Sequence, residues 1–387
     1  MKASFHERIE EIPQQAWNAL LPDDNPFLDH RFLAGLERHR CVEPAHGWLP
    51  HHLALHDGES LVAAAPLYLK GNSHGEFVFD WSWAHAYAEH GLDYYPKLLC
   101  AVPYSPVAGP RLLVGRGACT GELRALLVDA MRARALELGL SSAHANFTRE
   151  DDAGPFAAAG WLARFDWQFH WSNRGWADFD AFLADLSARK RKNIRQERAR
   201  VARAGIECSL RHGDELGDAD WADLHAFYLA TFEDHGNHPA LTLDFFRHLG
   251  RAMPRSVVAV LCTRAGRTIA GALMLRSATT LYGRYWGARE QVDGLHFEAC
   301  YYQGIDYCLR ERLQHFEPGA QGEHKLARGF VPTRTHSFHW IADARFRAAI
   351  ARALAREAAA LDDYRAELER HSPYARTGNT ADAQRPA

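Results

Sequence analysis

Lysine is scarce in this chain of 387 residues: Lys2, Lys70, Lys97, Lys190, Lys192 and Lys325 are the whole supply among 45 basic side chains. Arginine carries the rest, and 48 acidic residues leave a formal net charge of −3. No protein-wide basic field exists to draw the chain onto nucleic acid, so DNA is not an expected partner. Cysteine is equally thin. Cys41, Cys100, Cys119, Cys208, Cys262, Cys300 and Cys308 contain no C-x-x-C spacing. Their odd number argues against a disulfide framework or a zinc knuckle and for a reducing compartment. No run approaches the ~20 apolar residues of a membrane span. The first residues, Met1-Lys-Ala-Ser-Phe-His-Glu-Arg-Ile-Glu10, meet charge at once and hold no apolar signal region. The expectation is a cytoplasmic protein.

What is present is ordinary for a folded protein: 47% hydrophobic and 24% charged residues. The length suggests two domains, with about three quarters of the unfolded surface buried.

Asn25-Pro26-Phe27 reads as a helix start, with the helix running to about Arg40. Strand-like runs follow at 52–56, 61–69 and 77–83, the first two joined by the turn pair Asp57-Gly58. A Leu/Ala-rich helix spans 121–138, strands lie at 142–147 and 161–171, and a short helix at 154–159 separates them. The second half opens with helices at 179–186 and 187–204, closed by Gly205. It continues with a strand at 206–211, helices at 221–232 and 243–252, and strands at 257–263, 268–277 and 280–287. A helix at 297–313 and strands at 322–327 and 337–341 follow, then a long Ala/Arg/Glu helix over 345–370. From His371 the chain reads as a polar, disordered tail.

Gly58-Glu-Ser-Leu-Val-Ala-Ala-Ala-Pro-Leu-Tyr-Leu69 is echoed by Gly266-Arg-Thr-Ile-Ala-Gly-Ala-Leu-Met-Leu-Arg-Ser277. Each is a strand of small residues after a turn glycine. Each leads to an aromatic run, Phe77–Ala84 and Leu281–Ala288. Duplication of one α/β unit is the economical reading of the echo; the alternative is a chance likeness of two meanders. The expected division is 1–175, 176–345 and a C-terminal helix with tail over 346–387.

This helix–meander–helix–strand order resembles the GNAT acyltransferase fold, and two copies in one chain resemble the Fem-type peptidyltransferases of peptidoglycan synthesis. The resemblance is carried by the basic helix ending in Gly205, by Tyr282-Gly-Arg-Tyr-Trp-Gly-Ala288, and by His296–Ile305 with Gly319–Lys325. Asn25–His30, Asp80–Trp83 and Ala101–Arg111 add to it. It implies tandem GNAT-like domains, mixed and largely antiparallel sheets flanked by helices, and transfer of an acyl or aminoacyl group to an amine. The implied acceptor is a small-molecule amine or a cell-wall precursor. The implied donor is acyl-CoA or an aminoacyl-tRNA, with tRNA then a partner and no tightly bound cofactor.

Such chemistry needs a proton acceptor, an oxyanion donor and an acid for the leaving group. Gly322-Glu323-His324-Lys325 places three ionisable groups in an expected strand. Glu323 or His324 is the candidate base, and Lys325 the candidate for an anionic substrate or intermediate. A plain ion pair of Glu323 with Lys325 is the alternative. Glu298 sits at a helix start, as base, amine anchor or simple dipole partner. Cys300 as nucleophile is disfavoured, since buried cysteine is usually inert.

The donor is expected where the strand 282–287 splays from the strand at 322–327, along Tyr285, Trp286 and Gly287. The loop holding Arg289, Gln291, Gly294 and His296 would take a diphosphate. Gln291–His296 keeps only the first half of the GNAT glycine signature, and Asp293 adds negative charge, so coenzyme A binding should be weak. Asp80, Trp81, Tyr104, Ser105 and Tyr301 are candidate substrate contacts. Arg189–Arg203 carries eight basic residues and is either a solvated helix or a phosphate contact. His235-Gly-Asn-His238 reads as a loop, and no metal is expected. The second functional reading is a GNAT-fold protein that binds a cell-wall or amino-acid-like ligand without catalysis.

Overall fold

The computed structural model describes residues 1–375, apart from Ala118, His235, Asn237 and Gln321. The strands are β1 (Lys2–His6), β2 (Trp48–Pro50), β3 (His52–Asp57), β4 (Ser60–Ala65), β5 (Leu67–Lys70), β6 (Lys97–Cys100) and β7 (Ser142–Thr148). They continue as β8 (Leu162–Ser172), β9 (Ile206–His212), β10 (Val257–Arg264), β11 (Arg267–Arg276), β12 (Thr280–Ala288), β13 (His315–Glu317) and β14 (Val331–Ile341).

A small sheet has the order β1-β3-β4, and an 11-stranded sheet the order β2-β5-β6-β7-β14-β8-β13-β12-β11-β10-β9. The large sheet reads alike outward from its centre. On one side β7 lies parallel to β6, which pairs antiparallel with β5. On the other, β13 lies parallel to β12, which pairs antiparallel with β11. Of the echoed segments, β5 in the first and β11 in the second therefore hold matching places, while β4 pairs with β3 in the small sheet. Pro66 interrupts the first segment, because proline has no N–H for a ladder.

The central pair is crossed. Strand β14 follows the second meander in sequence but inserts between β7 and β8 of the first half. Strand β8 in turn pairs with β13. One core runs between the halves and joins Trp17, Phe32 and Leu33 to Trp221, Phe245 and Leu249. There the helix His30–Arg38 crosses Leu243–Ala252 at Gly35, where any Cβ would press on the His248 ring. A second core lies under the basic helix and the helix that follows β12.

Four local expectations are corrected. Phe77–Trp83 is no strand: a loop leads to the helix Trp81–Glu89. The helix expected from Asn25 begins at His30, capped by Asp29 accepting from Arg31 N–H, while Asn25 caps a turn through Phe27 N–H. Gly322–Ala327 is not a strand but the 3₁₀ turn Glu323–Arg328, so the two-residue alternation expected of its side chains does not apply. The expected tail begins ordered: the buried Tyr374 hydroxyl donates to Gly329 O. The rest of the tail and His235 lie outside the described residues.

Candidate active site

Strands β12 and β13 pair only from Thr280/His315 to Tyr282/Glu317. They then part. At the fork a Cβ on Gly283 would lie 3.1 Å from Pro318 Cα, so any larger residue would press on the backbone just past β13. The β11–β12 ladder shifts register between Leu273 and Met274, which leaves Arg284 bulged out of the pairing. From this fork opens a cavity of about 350 Å³. Tyr228 and Phe232 line it from the helix Asp218–Asp234, and His296, Cys300 and Tyr301 from the helical segment after β12. His324 and Lys325 close it. The cavity thus reaches both faces of the sheet through the gap, beside backbone groups that have left the ladder. Thr231 holds one of them, donating to Trp286 O at 2.6 Å.

The segment from Leu295 to Arg310 is helical but contains the π turn Glu298–Tyr302, a distortion that recurs at functional sites. Across it Cys300 and Tyr301 turn to the cavity, while Glu298 turns to the basic helix Ala188–Arg203. Tyr301 Oη and His324 Nε2 are hydrogen-bonded at 2.8 Å. Lys325 is buried, with Nζ donating to Gly319 O at 2.6 Å. Burial lowers its pKa to about 8. Burial, aided by His324, Arg328 and Lys325, lowers His296 to about 4. His324 is lowered by burial and then by Arg328 and Lys325, so it stays neutral near pH 7. Burial raises Tyr301, which keeps its proton, and raises the Cys300 thiol, which removes it as a nucleophile.

Of the residues singled out from the sequence, Tyr285, Trp286, His296, Tyr301, His324 and Lys325 meet at this cavity. The others stand elsewhere. Glu298 is buried against Arg198, which grips it at 3.1 Å from two nitrogens, and Gln303 adds a 2.8 Å bond. It is a structural ion pair on the far side of the π turn. Glu323 turns to a neighbouring cavity and accepts from Tyr364 Oη at 2.6 Å. Gly287 packs against the backbone of Phe227. Arg289 is taken by Asp223 (2.6 Å) and Thr268 O. A Cβ on Gly294 would lie 3.4 Å from Glu197 O, Asp293 pairs with Arg200, and Gln291 does not line the cavity. The expected diphosphate loop is therefore closed down onto the basic helix.

Asp80 is buried in an ion pair with Lys97, and Trp81 is exposed beside His74. Neither lines the cavity at the fork. Tyr104 and Ser105 come closer: Arg284 donates to Tyr104 O, and Ser105 lines a small apolar void with Arg284 and Tyr285. Sequence reasoning missed Arg284, Tyr228 and Glu317. Glu317 ends β13 at the fork, its Oε2 is buried without a hydrogen bond, and burial raises its pKa to about 8. Its signal was too short to see, since β13 has three residues.

A continuous sheet built from two meanders, each with one parallel pair, and a cavity at a strand fork define a tandem GNAT-like α/β protein. The chain belongs to the FemAB-like family, described as peptidoglycan biosynthesis/recognition, which matches residues 8–376. Among solved structures, FemX shares 12% identity at a TM-score of 0.53, covering 91% of this chain and all of that one. The C-terminal domain of a putative lysylphosphatidylglycerol synthetase from Agrobacterium fabrum shares 13% at 0.53, covering 90% of this chain and 96% of that one. A tandem GNAT protein of clavulanic acid biosynthesis shares 14% at 0.46, covering 88% and 98%. No curated protein sequence matches. No helix among the described residues is long and apolar enough to cross a membrane.

Proposed function

We propose that the chain is an N-acyltransferase that passes an aminoacyl group from a tRNA-borne ester to an amine acceptor of peptidoglycan type. The observation that carries the reading is the cavity through the sheet at the fork, with a neutral imidazole and a buried amine on its wall. An acceptor nitrogen attacks the ester carbonyl, the N–C bond forms and the ester C–O bond breaks. The nitrogen's surplus proton passes to His324, which Tyr301 orients. Lys325, charged near pH 7, faces the developing oxyanion and gives a proton to the leaving oxygen. Proton exchange with water restores both groups.

The choice of donor rests on two features. The loop that would hold a coenzyme A diphosphate is packed against Glu197 and Arg200. The outer side of the basic helix leaves Arg189, Lys192, Arg195 and Arg203 exposed, as a phosphate backbone requires. The test supplies labelled aminoacyl-tRNA or labelled acetyl-CoA together with a muropeptide bearing a free amine. Transfer from the tRNA, lost in Lys325→Met, supports the proposal. Transfer from acetyl-CoA alone overturns the donor. Transfer from neither, with the muropeptide still bound, leaves the non-catalytic binding reading.

A further inference from the structure

A second cavity, of about 270 Å³, lies beside the first. The partition between them is the segment that ends in the 3₁₀ turn Glu323–Arg328. Ala320 lines both cavities, and the adjacent residues Glu323 and His324 line one each. The floor of the second cavity comes from the crossed central strands, through Phe165 to Phe169 of β8 and Thr335 to Ser337 of β14. The loop 77–79 completes the lining.

Its lining has a definite chemistry. Aromatic rings of Phe77, Phe79, Phe147, Phe165, Trp167 and Tyr364 form the walls. Phe79 is 50% exposed at the rim. Phe77 and Phe147 both hold left-handed backbone, at φ 60° and 54°. Bulky side chains rarely adopt that conformation, and it persists where the surroundings enforce it. Two carboxylates face the space, Asp166 and Glu323. The lining cation, Arg164, is already neutralised by Glu357 at 2.9 Å and bound to Phe79 O at 2.8 Å. The outer faces of these rings already take cations: the Arg334 guanidinium lies 3.5 Å from the Phe165 ring centre and that of Arg365 5.5 Å from the Trp167 ring centre. Aromatic faces with nearby carboxylates attract an ammonium and repel an anion.

We infer that this cavity binds a primary ammonium carried on a compact apolar body, held by Glu323 and Asp166 between aromatic walls. The inference rests on the transferase reading: the acceptor's amine would wait here, across the Glu323–Arg328 turn from His324 and Lys325. Glu323 is then a binding residue for the acceptor and not the base.

The test uses the full chain and phenethylamine as the probe, with 2-phenylethanol and phenylacetate as neutral and anionic counterparts of the same shape. Calorimetry should show phenethylamine binding at least tenfold tighter than either counterpart. Glu323→Gln and Phe79→Ala should each weaken it about tenfold, and Glu323→Asp should restore part of the loss. Both positions are exposed, so melting temperatures should stay near that of the parent. Equal or tighter binding of phenylacetate, no binding of the amine, or no loss in Glu323→Gln overturns the inference. The transferase reading fails separately. Amine binding without transfer from any donor removes the activity and leaves this site. Transfer whose acceptor KM is unchanged in Glu323→Gln removes this site and leaves the activity.

Discussion

Replacing Lys325 by methionine should stabilise the protein at neutral pH while abolishing transfer. The side chain is 2% exposed, and burial lowers its pKa from 10.5 to about 8. At pH 7 the amine is charged in both folded and unfolded chains, so the folded state bears the full cost of the desolvated charge. That shift corresponds to about 3 kcal/mol. Methionine has a similar length and removes the charge, but it also removes the hydrogen bond to Gly319 O, about 1 kcal/mol. The net gain at pH 7 is about 2 kcal/mol. Above pH 8 the folded protein sheds this proton before the unfolded chain does. The unfolded chain then binds more protons, so the parent's stability rises with pH until about 10.5. By pH 9.5 the remaining cost is about 1.4 kcal/mol, and methionine's advantage shrinks to near zero. Urea midpoints followed by tryptophan fluorescence at pH 7 and pH 9.5 measure both values. A methionine variant that is less stable at pH 7, or an advantage that does not change with pH, refutes the reasoning.

Tyr301→Phe should lower kcat about 10- to 100-fold at unchanged donor KM, because it removes only the hydroxyl that orients His324; steady-state transfer assays check this. Glu298→Ala should lower stability by about 3 kcal/mol, since it strands Arg198 beside a void, while kcat per folded molecule stays at the parent value. Gly283→Val should raise donor KM or abolish transfer and also lower the melting temperature, because its side chain presses on the Pro318 backbone at the fork and must push the strands apart; transfer assays and thermal melts check both. Lys192→Glu with Arg195→Glu should weaken tRNA binding and reduce the slope of log K against log salt by about 2 or more, seen by filter binding across a salt series.

The sequence carried the tandem plan well, because the two small-residue strands and their turn glycines repeat over enough residues to stand out. It carried the basic helix too, with Ile194 and Val201 as its buried stripe. It misled at Phe77–Trp83, where aromatic residues alternate as in a strand. There the buried Lys97 draws in Asp80 and Glu76, and tertiary charge pairing decides the local shape. At Glu323–Arg328 six residues are too few to separate a two-residue from a three-residue period. Glu298 could not be placed from sequence, because the residue that captures it, Arg198, is 100 positions away. His324 and Lys325 reached the cavity by the route of a turn instead of a strand.

The crossed centre of the sheet sets a timetable for the newborn chain. Strand β7 needs β14 as its neighbour, and the hydrogen bond between His144 and His339 spans 195 positions. The first half therefore cannot close when its own last residue leaves the ribosome. It must wait with an open strand edge until residue 341 has been made, and such edges invite wrong pairing. A chain cut near residue 175 would yield two fragments that each present a gap or an unpaired strand. They should be insoluble apart and recover when co-expressed, as two pieces of one cooperative unit.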